Sequence, residues 1–411
     1  MRLTSTLLFA ALALGEGRRA QAQAPVTVMG QAIGVVESVD PVPGGGTLTE
    51  ARVVQPVVML HGRWFGGRLR ALGTLNLEGV TIPDGELTPG GWGEGFIDRR
   101  HPHTYAHELI VSAVDVLGRL DGGARLSVSA GKGFAPFGSD DPMSRPVLRY
   151  PVNHHLAQVL ERAVLVAGYR AGPVALEGGL FNGDEPERPG QWPKWSRFGD
   201  SWSARLTVLP VTGVELSASR ARVKSPEHRP GAGTTASKWH AAVRLDRPVA
   251  GGRGYLLAEW ARTSEADGFF VFQSGLAEVA WSRGAHRPYY RFEQTDRPED
   301  VRTPDPFRSL RPHLENSIVG VTRFALHTIG YGYGIRTRAG LELRPFAELT
   351  LGRMRETQGA VFDPKVFYGR TTIRALSVGL RLGWRMEGHR MGRYGDLLGE
   401  PAMHTHQEMM P

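Results

Sequence analysis

Apolar and polar residues alternate along most of this chain. Near its end Leu376, Val378, Leu380, Leu382 and Trp384 share one parity, while Ala375, Ser377, Gly379, Arg381, Gly383 and Arg385 share the other. Before that, Leu341, Leu343, Ala347, Leu349 and Leu351 oppose Glu342, Arg344, Glu348 and Thr350. Leu126, Val128 and Ala130 oppose Arg125, Ser127 and Ser129, and Trp239, Ala241, Val243 and Leu245 oppose His240, Arg244 and Asp246. Side chains of an extended strand point alternately to its two faces, so each stretch predicts a strand with one apolar face. Counting such stretches from Val53 to Met386 predicts about fourteen strands, within a range of about 12 to 16. Short turns such as Asp121-Gly122-Gly123 and Ala171-Gly172-Pro173 alternate with long polar loops.

A soluble β-sandwich also alternates, with its apolar face inward. Three features favour an all-β, transmembrane antiparallel barrel. The strands are long enough to cross a bilayer when tilted. Aromatic residues recur near strand ends (Trp64, Phe65, Phe134, Tyr169, Phe181, Trp260, Trp281, Tyr289, Tyr290 and Trp384), as interfacial girdles do. The polar face carries both arginine and glutamate, which suits a wet or salt-bridged interior.

Composition agrees. Among 411 residues there are 53 glycines and 28 prolines, which suits many turns, and no cysteine, which fits an oxidising compartment without a disulfide framework. The net charge of +8 comes from scattered arginines rather than basic runs, so a nucleic-acid footprint is excluded. Residues 1–24 read as an export signal: Arg2, an apolar run from Leu3 to Leu14, and small-x-small sites at Ala20-Gln21-Ala22 and Ala22-Gln23-Ala24. Residues 25–50 are Gly/Pro-rich and read as a flexible N-terminal segment, periplasmic or plugging. The barrel is expected over 51–386, followed by a Met/His-rich tail over 387–411. The expected location is the outer membrane of a Gram-negative bacterium, with outer-membrane lipid, lipopolysaccharide and the barrel-assembly machinery as partners. The oligomeric state is left open.

The densest chemistry lies between Phe96 and Glu108, where Asp98, Arg99, Arg100, His101, His103, His107 and Glu108 fall together. Imidazole with carboxylate suits copper or zinc, so His101, His103 and His107 are candidate ligands. The same residues equally suit a loop knitted to the lumen wall, with Asp98, Arg99, Arg100 and Glu108 as its anchors. His154-His155 joins the cluster only if its loop folds inward. In the tail, His404 and His406 stand among Met403, Met409 and Met410, a second set that suits copper or a disordered end. Arg344, Glu348 and Arg381 are expected to line the lumen, where rings of charge tune selectivity.

Ile82-Pro83-Asp84-Gly85, Asp98-Arg99-Arg100-His101-Pro102-His103 and Phe181-Asn182-Gly183-Asp184-Glu185-Pro186 resemble landmarks of an uncharacterised bacterial outer-membrane β-barrel family with an Asp-Arg-x-His-Pro-His motif. So do Lys224-Ser225-Pro226-Glu227-His228 and His389-Arg390-Met391-Gly392-Arg393-Tyr394-Gly395. The resemblance spans roughly residues 55 to 395. It implies a barrel associated with copper or heavy-metal resistance. Many relatives carry a Met/His-rich N-terminal segment, which this chain lacks.

The expected function is a porin-like channel for small solutes or ions. The alternatives are a closed structural or adhesion barrel and, further off, an outer-membrane lipid hydrolase using Ser112 or Ser139. No Gly-x-Ser-x-Gly elbow or complete phosphate-binding loop is present, so no catalytic residue is assigned.

Overall fold

The alternating stretches are staves of one closed sheet. In the computed structural model, residues 26–82, 92, 103–186, 189–224, 235–300, 318–337, 340–358, 362–386 and 390–398 are described. The strands are β1 (Val26–Asp40), β2 (Leu48–Trp64), β3 (Leu69–Asn76), β4 (Ala106–Arg119), β5 (Ala124–Gly133), β6 (Arg162–Ala171), β7 (Val174–Phe181) and β8 (Ser201–Val208). They continue as β9 (Val214–Lys224), β10 (Thr235–Val249), β11 (Gly252–Glu265), β12 (Phe270–Ser282), β13 (His286–Asp300), β14 (Ile318–Tyr333), β15 (Ile335–Arg336), β16 (Leu341–Gln358) and β17 (Thr372–Trp384). β15 is a two-residue spur on β16, so seventeen strands less one leave sixteen staves. Each stave pairs antiparallel with its neighbours in sequence, and β1 pairs with β17 from Gly30 opposite Trp384 to Asp40 opposite Arg374. That last ladder closes the barrel and leaves no free sheet edge.

The faces are the reverse of a soluble sandwich. Leu376, Val378, Leu380, Leu382, Leu349, Leu351, Trp239 and Val243 are exposed on the outside, while Arg125, Ser127, Ser129, His240, Glu348, Thr350 and Arg381 are buried within. An exterior that exposes a band of leucine and valine is stable only in lipid. Trp64, Tyr169, Trp260 and Tyr290 are exposed on it, but Phe134 and Phe181, expected among the girdle aromatics, are buried inside.

Two sequence expectations are corrected. Sixteen staves replace about fourteen, and the barrel starts at Val26 instead of residue 51, because part of the supposed N-terminal segment is β1. β1 does not alternate cleanly because its two faces differ little in polarity. Its inward residues are Met29, Ile33, Val35 and Val39 together with Gln31 and Glu37, all buried, whereas its other face carries Gly30, Ala32, Gly34, Val36 and Ser38. The supposed tail is also partly structural, since residues 390–398 run back into the barrel. The leader, residues 1–24, lies outside the described residues.

Two segments fill the interior. The first is the connection from Phe134 to Glu161, between β5 and β6, which folds inward instead of out into solvent. Its apolar residues explain this: Phe134, Phe137, Met143, Val147, Leu148, Tyr150, Val152, Leu156, Val159 and Leu160 are all buried. Its two limbs are tied by the Ala135 N–H donating to the Val159 carbonyl at 2.9 Å. They touch at Gly138, where a Cβ would stand 1.6 Å from the Ala157 carbonyl oxygen and where φ is +73°, so only glycine fits. The second segment is Arg390–Leu398. Leu397 sits over Gly168 of β6, as Pro136 of the inward loop sits over Gly179 of β7; a Cβ at either glycine would meet its neighbour at 2.2 or 2.5 Å.

Candidate functional site

The inward loop crosses the lumen and is pinned to the far wall by polar contacts. The Gly138 N–H donates to Ser219 on β9 at 2.9 Å, and the Val152 N–H to Glu293 on β13 at 2.9 Å. Arg145 lies 3.7 Å from both Glu259 on β11 and Glu278 on β12. Arg149 donates to Thr328 on β14 at 2.5 Å and Thr350 on β16 at 2.9 Å. The wall itself is neutralised by close pairs. Arg205 grips Glu177 through two bonds of 2.7 Å, and Arg291 grips Glu278 at 2.5 and 2.9 Å.

The C-terminal segment is latched to this loop. Arg390 reaches Asp140 at 2.6 Å and Glu215 at 2.8 Å, and Arg393 reaches the same two acids at 3.0 and 2.9 Å. Arg244 on β10 also bonds to Asp140. Burial alone would raise the Asp140 carboxyl, but the charges of Arg390, Arg244 and Arg393 outweigh it and hold its pKa well below the ordinary aspartate value. Further along, Tyr394 donates to Glu108 at 2.7 Å and accepts the Phe134 N–H at 2.9 Å. Asp396 takes Arg70 and Arg125 at 2.8 Å each. The space left beside the latch, lined by Ser139, Asp140, Arg145, Glu215, Arg244 and Tyr255, measures about 10 Å³. That is about one water molecule.

Beside the latch stands a buried row of imidazoles. His103 and His107 flank the start of β4, with ring centroids 4.9 Å apart. The inward loop brings His154 to 6.0 Å from His103, and His155 to 4.3 Å from His154. His103 Nδ1 lies 2.6 Å from Glu78, and His107 Nδ1 lies 2.7 Å from Glu161. Burial raises both carboxyls. For Glu78 the hydrogen bond and charge of His103 outweigh it; for Glu161 the hydrogen bond from His107 does so, together with Lys132. Both pKa values end below the ordinary glutamate value. Burial pushes His154 well below the usual histidine value, with the neighbouring imidazoles adding to the shift. Tyr150, 4.6 Å from His154, joins this row to a buried methionine cluster of Met29, Met59, Met143, Met386 and Met391.

Of the residues singled out from sequence, His103, His107 and Glu108 meet here. Arg344, Glu348 and Arg381 lie on the inner wall: Arg344 pairs with Glu342 at 2.8 Å, Arg381 donates to Gln31 at 2.9 Å, and Glu348 accepts from Tyr289 at 2.6 Å. Glu348 also accepts the indole N–H of Trp92 at 2.8 Å, so the long loop before β4 enters the barrel at that residue. Asp98, Arg99, Arg100, His101, His404 and His406 lie outside the described residues. Among the described residues no three histidines or acids already stand as a metal-binding group. The sequence pattern does not single out Glu78, Asp140, Glu161 or Glu215, and it offers Arg390 and Arg393 only within the stretch from His389 to Gly395. The signal for the loop acids was available: a segment as apolar as 134–160 cannot be solvated, so its charges must be lumenal.

No family model and no curated protein matches the chain. Among solved structures it is similar to the anion-selective porin from Comamonas acidovorans, at 11% identity over 87% of this chain and 99% of that one, with a TM-score of 0.51. OprB of Pseudomonas putida aligns at 11% identity over 88% of this chain and 94% of its own, with a TM-score of 0.49. OmpT of Vibrio cholerae aligns at 11% identity over 89% and 100%, with a TM-score of 0.46. At these identities the likeness speaks for the fold, and the first match carries it. The closed barrel, its lipid-facing exterior and its polar interior make this chain a porin-like β-barrel of the Gram-negative outer membrane.

Proposed function

We propose that the protein is a gated channel for small ions or solutes, closed when residues 390–398 occupy the lumen. One observation carries this reading. The segment is held by ion pairs to Asp140 and Glu215, side chains of the loop and the wall. A plug that only filled space would be held by apolar packing alone. The barrel wall closes through β1 and β17 without the segment, so its departure opens the interior and leaves the staves intact. Once Arg390 and Arg393 leave, Asp140, Glu177 and Glu215 face Arg145, Arg205 and Arg244, so acids and bases balance and the opened space carries charges of both signs.

The test is planar-bilayer conductance of the full chain beside a chain ending at residue 386. The reading expects a mostly closed full-length protein and a steadily conducting truncation. Silence from both, with the truncation folded by heat-modifiable migration, supports the closed structural barrel instead.

A further inference from the structure

We propose that His103, His107 and His154 form a binding site for a late first-row divalent ion, zinc or copper, inside the barrel. The inference is independent of the channel reading. Its basis is the orientation of the rings. His103 and His107 each turn Nδ1 onto a buried carboxylate, Glu78 at 2.6 Å and Glu161 at 2.7 Å. A carboxylate on Nδ1 is the usual outer partner of a metal-ligating histidine: it fixes the tautomer and leaves Nε2 for the ion. The His107 Nε2 is buried with no hydrogen-bond partner among the described residues, and so are both ring nitrogens of His154. A neutral imidazole buried with no partner at either nitrogen forgoes hydrogen bonds that water would supply, and an ion restores one.

Spacing supports the assignment. Three imidazoles on one ion, with metal–nitrogen bonds of about 2.0–2.1 Å, hold their ring centroids roughly 5 Å apart. His103 stands 4.9 Å from His107 and 6.0 Å from His154. Both separations from His103 are close to that spacing, and His154, whose ring nitrogens hold no hydrogen bond among the described residues, is the ring that turns on uptake. His155 adjoins His154 and is the most exposed of the four, with 12% of its side chain open, so it marks the side from which an ion enters. Glu78 and Glu161 are positioning residues in this scheme. Imidazole ligands suit zinc and copper and disfavour calcium and magnesium.

The experiment is a Co²⁺ titration of the full-length protein in detergent, read by visible absorption, followed by displacement with Zn²⁺ and Cu²⁺. One ion per chain with a nitrogen-ligand d–d band is expected. His107→Gln and His154→Gln should each weaken binding at least tenfold, with the folded state checked by circular dichroism. Glu161→Gln should weaken it roughly 10–100-fold and shift the band, the range expected for an outer partner. A chain lacking residues 399–411, and with them His404 and His406, should bind as the full chain does. No binding by the full chain, unchanged affinity in both histidine variants, or loss of binding on removal of the tail would each overturn the proposal.

Discussion

Asp140→Asn tests the latch most directly. The carboxylate is 2% exposed and receives Arg390 at 2.6 and 2.8 Å and Arg393 at 3.0 Å, with Arg244 as a third cation. Asparagine keeps the shape and removes the charge. Arg390 and Arg393 then rely on Glu215, at 2.8 and 2.9 Å, while Arg244 keeps Asp246 at 3.4 Å. Removing one partner from a buried ion pair costs about 3–5 kcal/mol, and the surviving acid argues for the lower end. At about 1.4 kcal/mol per decade, 3 kcal/mol moves the closed-to-open ratio roughly a hundredfold. The loss of the Arg390 and Arg393 contacts falls on the closed state alone, because in the open state those two arginines are hydrated, whereas the Arg244 pair is lost from both states. Single-channel open probability is the readout, and a chain ending at residue 386 sets the fully open level. Asp121→Asn, which touches only the exposed Arg119 pair, should leave gating unchanged. If Asp140→Asn opens no more often than the wild type while the truncation conducts, the ion pairs do not hold the segment and the latch argument fails.

Three further outcomes follow from the same geometry. The depressed pKa of Asp140 means that its stabilisation is fully present above the ordinary aspartate value of 3.8 and is lost as pH falls through its own lower value. Conductance should therefore stay low near neutrality and rise only under acid conditions, as a pH series in bilayers would show. Gly168→Val places a side chain where Leu397 now sits, at 2.2 Å from an ideal Cβ, and should raise open probability without touching a charge. Leu380→Arg, on the lipid-facing side of β17, should cost about 2–4 kcal/mol of barrel stability in urea titrations near the bilayer midplane.

The staves were legible because each crosses from lipid to water-facing lumen, and that contrast writes itself as a period of two. β17 shows it cleanly, with Leu376 to Trp384 against Ser377 and Arg381. β1 shows no clean alternation because its inner face packs partly on Met143 and Trp92, so Met29, Ile33, Val35 and Val39 stand among the inward Gln31 and Glu37. The interior was harder to read for the same reason. Loops normally face solvent, so a pattern of strands and loops does not by itself send Phe134–Glu161 inward despite its apolar content. Arg390 and Arg393 fall within the expected tail because nothing near them in sequence marks their partners: Asp140 and Glu215 lie 250 and 175 residues from Arg390. His103 and His107 could be paired from spacing alone. Bringing His154 beside them required knowing which way its loop turned.

The latch and the histidine row hang from one element, so perturbing either should be felt at the other. Asp140 and His154 sit on opposite limbs of the loop, and the limbs are tied between them. Asp141 accepts from Tyr150 at 3.0 Å and from Gln158 at 3.3 Å, while Gly138 meets Ala157. Tyr150 in turn lies 4.6 Å from the His154 ring. Sites with no shared partner add within about 0.3–0.5 kcal/mol, whereas sites in one connected network couple by about 0.5–3 kcal/mol. The measurement is a double-mutant cycle on open probability, with His154→Gln and Asp140→Asn made singly and together. A coupling energy above about 0.5 kcal/mol marks the loop as a rigid strut through which events at the imidazoles reach the gate. Strict additivity would separate the two and leave the histidine row as a stabiliser of the barrel mouth with no hold on the latch.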